Sequence, residues 1–317
     1  MRKQVFIAVA ILVALAVVPN LLCQTVPRYF LNSTVFIEYQ VDAAGASSGT
    51  GFIIFDQNAH DIALNTYSYY IFLVTNKHVL PPEHGFAKEM KVRFGARNES
   101  NQVTASEMRI PVLDAGGKYL REVVLHPDPA VDVAVVFIGG DLFRARAEAL
   151  YRMSEKHEAI TTDLLVRRDK LAEAQIGIGT EVYTLGYPAG IYGAQNVSPM
   201  LRLGIIATDP DTDFSFSPEF SVRYGLPQTV SGFLIDSNVF PGSSGSLVFR
   251  RTEIVPGWSI GGEFSRPYVL GILAKSIPVL DLWGLERMGV GVVYSAETIR
   301  DTIALAVRKL FPKPSAK

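Results

Sequence analysis

From Ser33 onward, the sequence alternates between short apolar segments, rich in β-branched residues, and turns made of Gly, Pro, Asn and Asp. This alternation is typical of many antiparallel strands, so the fold class is predicted to be all-β. The first series of segments comprises Val35–Gln40, Gly51–Phe55, Tyr70–Thr75, Lys91–Phe94, Glu122–His126 and Val133–Ile138. The second series comprises Glu181–Leu185, Leu201–Ala207, Gly232–Ile235, Ser246–Arg250, Tyr268–Ile272 and Gly289–Tyr294. Two such series predict two β-barrels or a divided sandwich, with one unit at residues 33–140 and the other at 176–295.

Helical patterns occur between the two series and at the C-terminus. Residues 141–175 are rich in Arg, Glu, Ala and Leu, which predicts a helical connector. It is interpreted as a solvated linker, with a lid over a site as the alternative. A final helix is predicted at Glu297–Leu310, within a C-terminal unit of residues 296–317, with Ser295 as its cap. Its apolar stripe consists of Ile299, Ile303, Ala306, Val307 and Leu310.

The N-terminus has the pattern of a secretory signal. Arg2 and Lys3 precede an apolar run, Val5–Val18, that is shorter than the roughly 20 residues a membrane-spanning helix needs. Residues 1–23 are therefore predicted to be a signal peptide or, if uncleaved, a membrane segment and the chain's only membrane contact. Cleavage within 14–16 and cleavage near Cys23 both remain open. The predicted location is secreted, periplasmic or in the cell envelope.

Composition excludes several classes of function. Lys and Arg total 30 and Asp and Glu total 31, so no net positive field favours nucleic acid, which is not expected as a partner. Cys23 is the only cysteine, so a chain cleaved after it would hold no disulfide and no cysteine-based zinc site.

The segment Pro241–Leu247 contains a serine, Ser244, in a glycine-rich turn before an apolar strand. Glycines allow positive φ angles, which turn backbone N–H groups inward, and a serine hydrolase needs such donors beside its nucleophile. On this interpretation the N–H groups of Gly242 and Ser244 form an oxyanion hole. Taken alone, the segment also fits an ordinary turn.

A serine nucleophile requires a base and an orienting carboxylate. Of the five histidines, His78 follows the strand that ends at Thr75, where side chains project from a sheet edge. Asp132 stands directly before the apolar run Val133–Ile138, which predicts the partial burial that this role requires. Asp128, between two prolines, is the alternative. The candidate triad is therefore His78, Asp132 and Ser244.

Taken together, these segments resemble the trypsin-like serine peptidases of the chymotrypsin fold. The likeness is carried by Ser48–Phe52, Thr75–Val79, His126–Val136, Gly186–Pro188 and Gly242–Ser246, and extends over Val35–Leu305. It is strongest to the bacterial branch without disulfides, which includes HtrA-type and glutamyl-endopeptidase-like enzymes, here without a PDZ domain. The resemblance implies two six-stranded antiparallel Greek-key barrels with the triad between them. It also implies cleavage of polypeptide substrates through an acyl-enzyme, a mechanism that needs no metal and no organic cofactor.

The resemblance also implies a specificity pocket, assigned here to Asn238, Gly271 and Ala274. Related enzymes that cut after Lys or Arg carry an Asp where this sequence has Asn238, so cleavage after basic residues is not expected, and a small or aliphatic residue is favoured. Ser243 replaces the Asn or Asp common before the nucleophile, and Ser246 replaces a usual Gly. The alternative function is a catalytically silent or latent relative that binds a peptide or protein partner in the same cleft.

Overall fold

The computed structural model describes residues 26–43, 45–61, 66–97, 103–139, 160–252, 254–255, 263–264, 266–281 and 284–312. The predicted signal segment, residues 1–23, lies outside these ranges. Strands dominate the described chain and form two large antiparallel sheets. The all-β prediction is therefore confirmed.

The first sheet contains eight strands. They are β1 (Thr34–Gln40), β2 (Ala46–Asp61), β3 (Thr66–Thr75), β4 (Glu89–Arg97), β5 (Val103–Pro111), β6 (Val123–Leu125), β7 (Ala134–Phe137) and β8 (Ile160–Thr161). Their order is β5-β4-β1-β2-β3-β7-β6, and β8 pairs in parallel with β2. As described, the sheet is an open path rather than a closed ring. Each of the six predicted segments overlaps one of these strands.

Strand β5 was not predicted, and its sequence explains why. It is an edge strand paired only with β4 along the described path, and among its side chains whose burial is described just two, Met108 and Ile110, are buried hydrophobic residues. An edge strand with a largely polar face lacks the apolar run that identifies a central strand.

The second sheet is a closed six-stranded barrel, as predicted. Its strands are β9 (Glu181–Gly186), β10 (Met200–Ile206), β13 (Gly232–Asp236), β14 (Leu247–Arg250), β17 (Val269–Asp281) and β18 (Gly284–Ser295). Two small hairpins complete the chain order, namely β11 (Phe214–Ser215) with β12 (Thr229–Val230), and β15 (Ile254–Val255) with β16 (Glu263–Phe264). The barrel order is β10-β13-β18-β17-β14-β9.

The described residues contain three α-helices: α1 (Arg28–Ser33), α2 (Pro218–Tyr224) and α3 (Ala296–Leu310). Helix α3 matches the predicted C-terminal helix, and Ile299, Ile303, Ala306 and Leu310 are buried along it. The Ser295 side chain makes no capping hydrogen bond. Instead the Ser295 carbonyl accepts a bond from Thr298 Oγ1 at 2.7 Å. None of the described helices is long and apolar enough to cross a membrane.

The predicted helical connector is only partly described. Residues 141–159 lie outside the described ranges, and residues 160–175 form β8 and two 3-10 turns, Thr162–Leu164 and Arg168–Lys170, instead of an α-helix. The Arg300 guanidinium donates to the Thr162 carbonyl at 2.9 Å and to the Leu165 carbonyl at 3.3 Å. Tertiary hydrogen bonds from Arg300 of α3 thus engage backbone carbonyls of this part, which overrides its local helix preference.

One continuous core joins the two sheets. Phe30 of α1 stacks on Phe249 of β14, with ring centroids 4.3 Å apart, and Phe72 of β3 belongs to the same buried cluster. A hydrogen bond of 2.7 Å from Tyr294 Oη of β18 to the Ala130 carbonyl crosses between the sheets near the start of β7. The relative position of the two sheets is therefore fixed by a shared apolar core and by this hydrogen bond.

Candidate active site

His78 and Asp132 lie on neighbouring segments of the first sheet. Strand β3 ends at Thr75, and His78 sits in a 3-10 turn, Lys77–Val79, that follows directly. The fully buried Asn76 donates from Nδ2 to the Asp132 carbonyl at 2.7 Å. Because β3 pairs with β7, the residues just beyond their ends lie side by side, and Asn76 fastens the two segments together.

The Asp132 carboxylate holds His78 at two points. Its Oδ2 is 2.5 Å from His78 Nδ1, and its Oδ1 accepts the backbone N–H of His78 at 3.2 Å. Asp132 is 16% exposed, whereas the His78 side chain is 43% exposed. This arrangement leaves Nε2 of the imidazole as the nitrogen available for chemistry.

Asp128, the alternative carboxylate, is engaged elsewhere. Its Oδ1 accepts the N–H of Ala130 at 2.8 Å, and its carbonyl accepts a bond from Lys77 Nζ at 2.7 Å. Both contacts stabilise the turn before β7. The structure therefore gives the His78 imidazole one carboxylate partner among the described residues, Asp132.

The charge state of Asp132 follows from its surroundings. Burial raises its pKa, but the hydrogen bonds and charge of His78, with a contribution from Lys275, outweigh burial and lower the pKa below 3.8. A carboxylate whose folded pKa is depressed contributes stability above its unfolded pKa, and that contribution is lost as pH falls through the folded value. Asp132 is therefore ionised at neutral pH.

Ser244 lies in two consecutive tight turns between β13 and β14. The Ser243 N–H donates to the Phe240 carbonyl at 3.0 Å, with Pro241 second and Gly242 third, at φ +85°. These are the features of a type II β-turn. The same pattern recurs immediately, because the Ser246 N–H donates to the Ser243 carbonyl at 3.0 Å and Gly245 has φ +88°.

The backbone N–H groups of Gly242 and Ser244, which flank Ser243 in these turns, have no acceptor among the described residues. Peptide planarity explains their direction, because the C=O and N–H of one trans peptide point opposite ways. The Pro241 carbonyl accepts the Ala189 N–H at 2.5 Å, and the Ser243 carbonyl accepts the Ser246 N–H. Each fixed carbonyl turns the following N–H the other way, which leaves two oriented donors beside Ser244 Oγ.

The Ser244 hydroxyl itself donates to the carbonyl oxygen of Ala274 at 2.8 Å. In the described part of the chain no hydrogen bond joins it to His78. Ser244, the candidate nucleophile, thus lies against β17 with its side chain turned toward that strand. The His78–Asp132 pair lies on the first sheet.

The three residues assigned to the specificity pocket occupy different surroundings. Ala274 is buried and adjoins Ser244 through its carbonyl. Asn238 is exposed, and a Cβ on Gly289 would lie 3.9 Å from its Oδ1. Gly271 pairs with Val248, and a Cβ there would overlap the Tyr294 carbonyl oxygen, so this position is closed by β18. The pocket assignment stays a prediction.

Sequence analysis did not assign a role to Thr50 or to the turn after β9. Thr50 is fully buried and makes hydrogen bonds to Gly242, Ser244 and Tyr187. Their segments were quoted only for their resemblance to a family. A hydroxyl residue between two glycines, Gly49 and Gly51, was the available indication, because such a strand permits close backbone approach.

Two comparisons with known proteins give matches. The trypsin-like peptidase domain model matches residues 49–257. Similar solved structures include the active form of the Rv3671c protease from M. tuberculosis (16% identity, 92% of this chain and 86% of that chain, TM-score 0.41). The serine endoprotease from Yersinia pestis (14%, 90% and 68%, TM-score 0.43) and Deg5 (13%, 90% and 92%, TM-score 0.47) are also similar.

The search of curated proteins gives no match. The family model, in contrast, spans well over half of the 317 residues, and it includes both segments that hold the His78–Asp132 pair and the turns around Ser244. The chain therefore belongs to the trypsin-like peptidase domain family and is a serine-type endopeptidase.

Proposed function

We propose that His78, Asp132 and Ser244 are the catalytic triad of this endopeptidase, and that the N–H groups of Gly242 and Ser244 form its oxyanion hole. The observation that carries the proposal is the Asp132 carboxylate, which holds both Nδ1 and the backbone N–H of His78. A carboxylate in this position fixes the imidazole with Nε2 unprotonated and stabilises the imidazolium that forms during catalysis.

The described orientation of Ser244 corresponds to a resting state. Rotation about χ1, between staggered positions, moves Oγ from the Ala274 carbonyl toward His78 Nε2. Oγ then attacks the scissile carbonyl carbon while its proton passes to Nε2. The carbonyl oxygen becomes the oxyanion, which the N–H groups of Gly242 and Ser244 stabilise.

Collapse of the intermediate breaks the C–N bond, and His78 donates its proton to the leaving amine. Water then attacks the acyl-enzyme with His78 again as base, which releases the acid and restores Ser244. The substrate is a polypeptide. Asn238 and Ala274 are proposed to line the pocket for the residue before the cleaved bond, with a small or aliphatic preference.

A fluorophosphonate probe tests this function directly, since it bonds covalently to an activated serine and releases fluoride. The purified protein is expected to be labelled at Ser244 and to cleave a peptide library after small or aliphatic residues. Tandem mass spectrometry of the labelled peptide identifies the residue. A folded protein that neither reacts nor cleaves would favour the silent, peptide-binding relative.

We also propose that the protein is exported. The support is the sequence of residues 1–23, in which two basic residues precede a short apolar run. Expression of the full chain in a bacterial host, with fractionation and N-terminal sequencing, is expected to recover protein outside the cytoplasm. Recovery solely in the cytoplasm, with the N-terminus intact, would contradict this proposal, and recovery in the membrane fraction would identify an uncleaved anchor.

A further inference from the structure

The loop Phe240–Ser246, which bears the oxyanion-hole donors, is hydrogen-bonded to one buried residue of the first sheet, Thr50. Thr50 of β2 lies opposite the loop Phe240–Ser246 and is 0% exposed. Its backbone N–H donates to the Ser244 carbonyl at 2.8 Å. Its Oγ1 donates to the Gly242 carbonyl at 2.9 Å. Thr50 therefore contacts the backbone on both sides of Ser243.

The same hydroxyl has a second partner. Thr50 Oγ1 accepts the Tyr187 N–H at 3.0 Å, so it bridges the turn after β9 to the loop that carries Gly242. Tyr187 is itself anchored, because its buried Oη, with one proton to donate, lies 2.8 Å from the Val197 carbonyl oxygen and 3.1 Å from the Thr34 carbonyl oxygen. Two residues further on, the Ala189 N–H holds the Pro241 carbonyl.

These contacts fix the peptide planes on either side of Gly242. The Ala189 N–H holds the Pro241–Gly242 peptide so that the Gly242 N–H faces the opposite way, and Thr50 Oγ1 holds the next peptide by the Gly242 carbonyl. A glycine at φ +85° rotates readily without such support. A Cβ at Gly242 would lie 2.7 Å from the Tyr187 carbonyl oxygen, so the turn and the loop are in close contact.

We infer that Thr50 is a positioning residue for the oxyanion hole: its hydroxyl fastens the Tyr187–Gly190 turn to the Gly242 peptide and keeps the Gly242 N–H directed at the reacting carbonyl. This inference rests on the proposed function of Ser244. Thr50 itself does not touch the reacting atoms. Its effect is on the transition state, because the oxyanion forms only there.

The test compares Thr50→Val, which removes the hydroxyl at nearly constant volume, with Thr50→Ser, which keeps it. Thr50→Val is expected to lower kcat by about 10- to 100-fold, less than the loss of a donor itself, and to leave KM within about threefold. Thr50→Ser is expected to restore kcat to within about threefold of wild type. The substrate is the best-cleaved library peptide. The rate of labelling by the fluorophosphonate probe is expected to fall in parallel with kcat.

Thr302→Val is the matched control. Thr302 lies in the C-terminal helix α3, is as fully buried as Thr50, and donates its hydroxyl hydrogen bond to the Thr298 carbonyl. It is expected to lower the melting temperature without changing kcat. If Thr50→Val does not fold, Thr50→Cys, a much weaker donor, takes its place with the same expectation.

The outcomes separate the two proposals. An unreactive, folded wild-type protein would overturn the proposed function and this inference together. An active wild type with unchanged kcat in Thr50→Val, or a loss of kcat that Thr50→Ser does not restore, would overturn the inference alone. A change in KM without a change in kcat would also overturn it, because it would assign Thr50 to substrate binding.

Discussion

Replacement of Ser244 by alanine is expected to lower kcat for peptide hydrolysis on the order of 10⁶-fold and to abolish fluorophosphonate labelling. The physical reason is that alanine lacks the hydroxyl oxygen that attacks the scissile carbonyl, whereas the N–H groups of Gly242 and Ser244, which lack acceptors in the described part of the chain, remain. The residual rate reflects what the oxyanion hole and substrate binding contribute without a nucleophile. Steady-state kinetics on the best-cleaved peptide measures the change.

The matched control is Ser215→Ala, which removes an exposed serine hydroxyl in β11 and its bond to Thr229. This variant is expected to keep wild-type kcat and labelling. His78→Ala is expected to match Ser244→Ala, and the double variant to lose no more than either single variant, because the two residues act as a unit. Retention of labelling in Ser244→Ala would place the nucleophile elsewhere.

The architecture was predictable from sequence because the central strands of each sheet are buried on both faces. Strands such as β3 and β9 read as continuous apolar runs bounded by turn residues, and the structure places them within a residue or a few of the predicted bounds. Strand β5 escaped prediction because only two of its side chains with described burial, Met108 and Ile110, are buried hydrophobic residues. The 160–175 segment differs from its helical prediction because Arg300, distant in sequence, holds its carbonyls.

The candidate site was predictable to the extent that its chemistry depends on residue type. His78 and Asp132 were chosen because each stands at a strand boundary, and the structure brings their side chains to 2.5 Å. Contacts made by the backbone leave little trace in residue type. The contacts of Thr50 depend on how the two sheets meet. The Ala189–Pro241 contact and the orientation of Ser244 toward the Ala274 carbonyl depend on how the loops and strands of the second barrel pack.

Position along a strand was also insufficient to define the pocket. Gly271 and Ala274 are three residues apart on β17, yet only Ala274 adjoins Ser244, because the β14–β17 register pairs Gly271 with Val248, beyond the nucleophile loop. Strand β17 also shifts register against β18 between Leu273 and Lys275. An irregularity of this kind re-aims the residues that follow it. Sequence analysis had no means of locating the shift.

Asp132→Asn is expected to lower kcat on the order of 10⁴-fold with little change in KM. The carboxylate uses both oxygens, Oδ1 for the His78 N–H and Oδ2 for Nδ1. Asparagine keeps one acceptor. If it serves the backbone N–H, the amide NH₂ faces Nδ1, which must then accept, so the ring proton moves to Nε2 and His78 cannot act as a base.

Asp128→Asn is the matched control for Asp132→Asn, because it makes the same charge change four residues earlier and keeps an oxygen for the Ala130 N–H. It is expected to retain wild-type kcat; an equal loss in both variants, or less than a tenfold loss in Asp132→Asn, would contradict the assignment.

The stability of wild type and that of Asp132→Asn should also depend differently on pH. The pKa of Asp132 is lowered below 3.8, so its ionised form stabilises wild type above that pH, and this contribution is lost on acidification. Asp132→Asn lacks it at every pH, so wild type and Asp132→Asn are expected to converge in melting temperature as the pH falls below about 4.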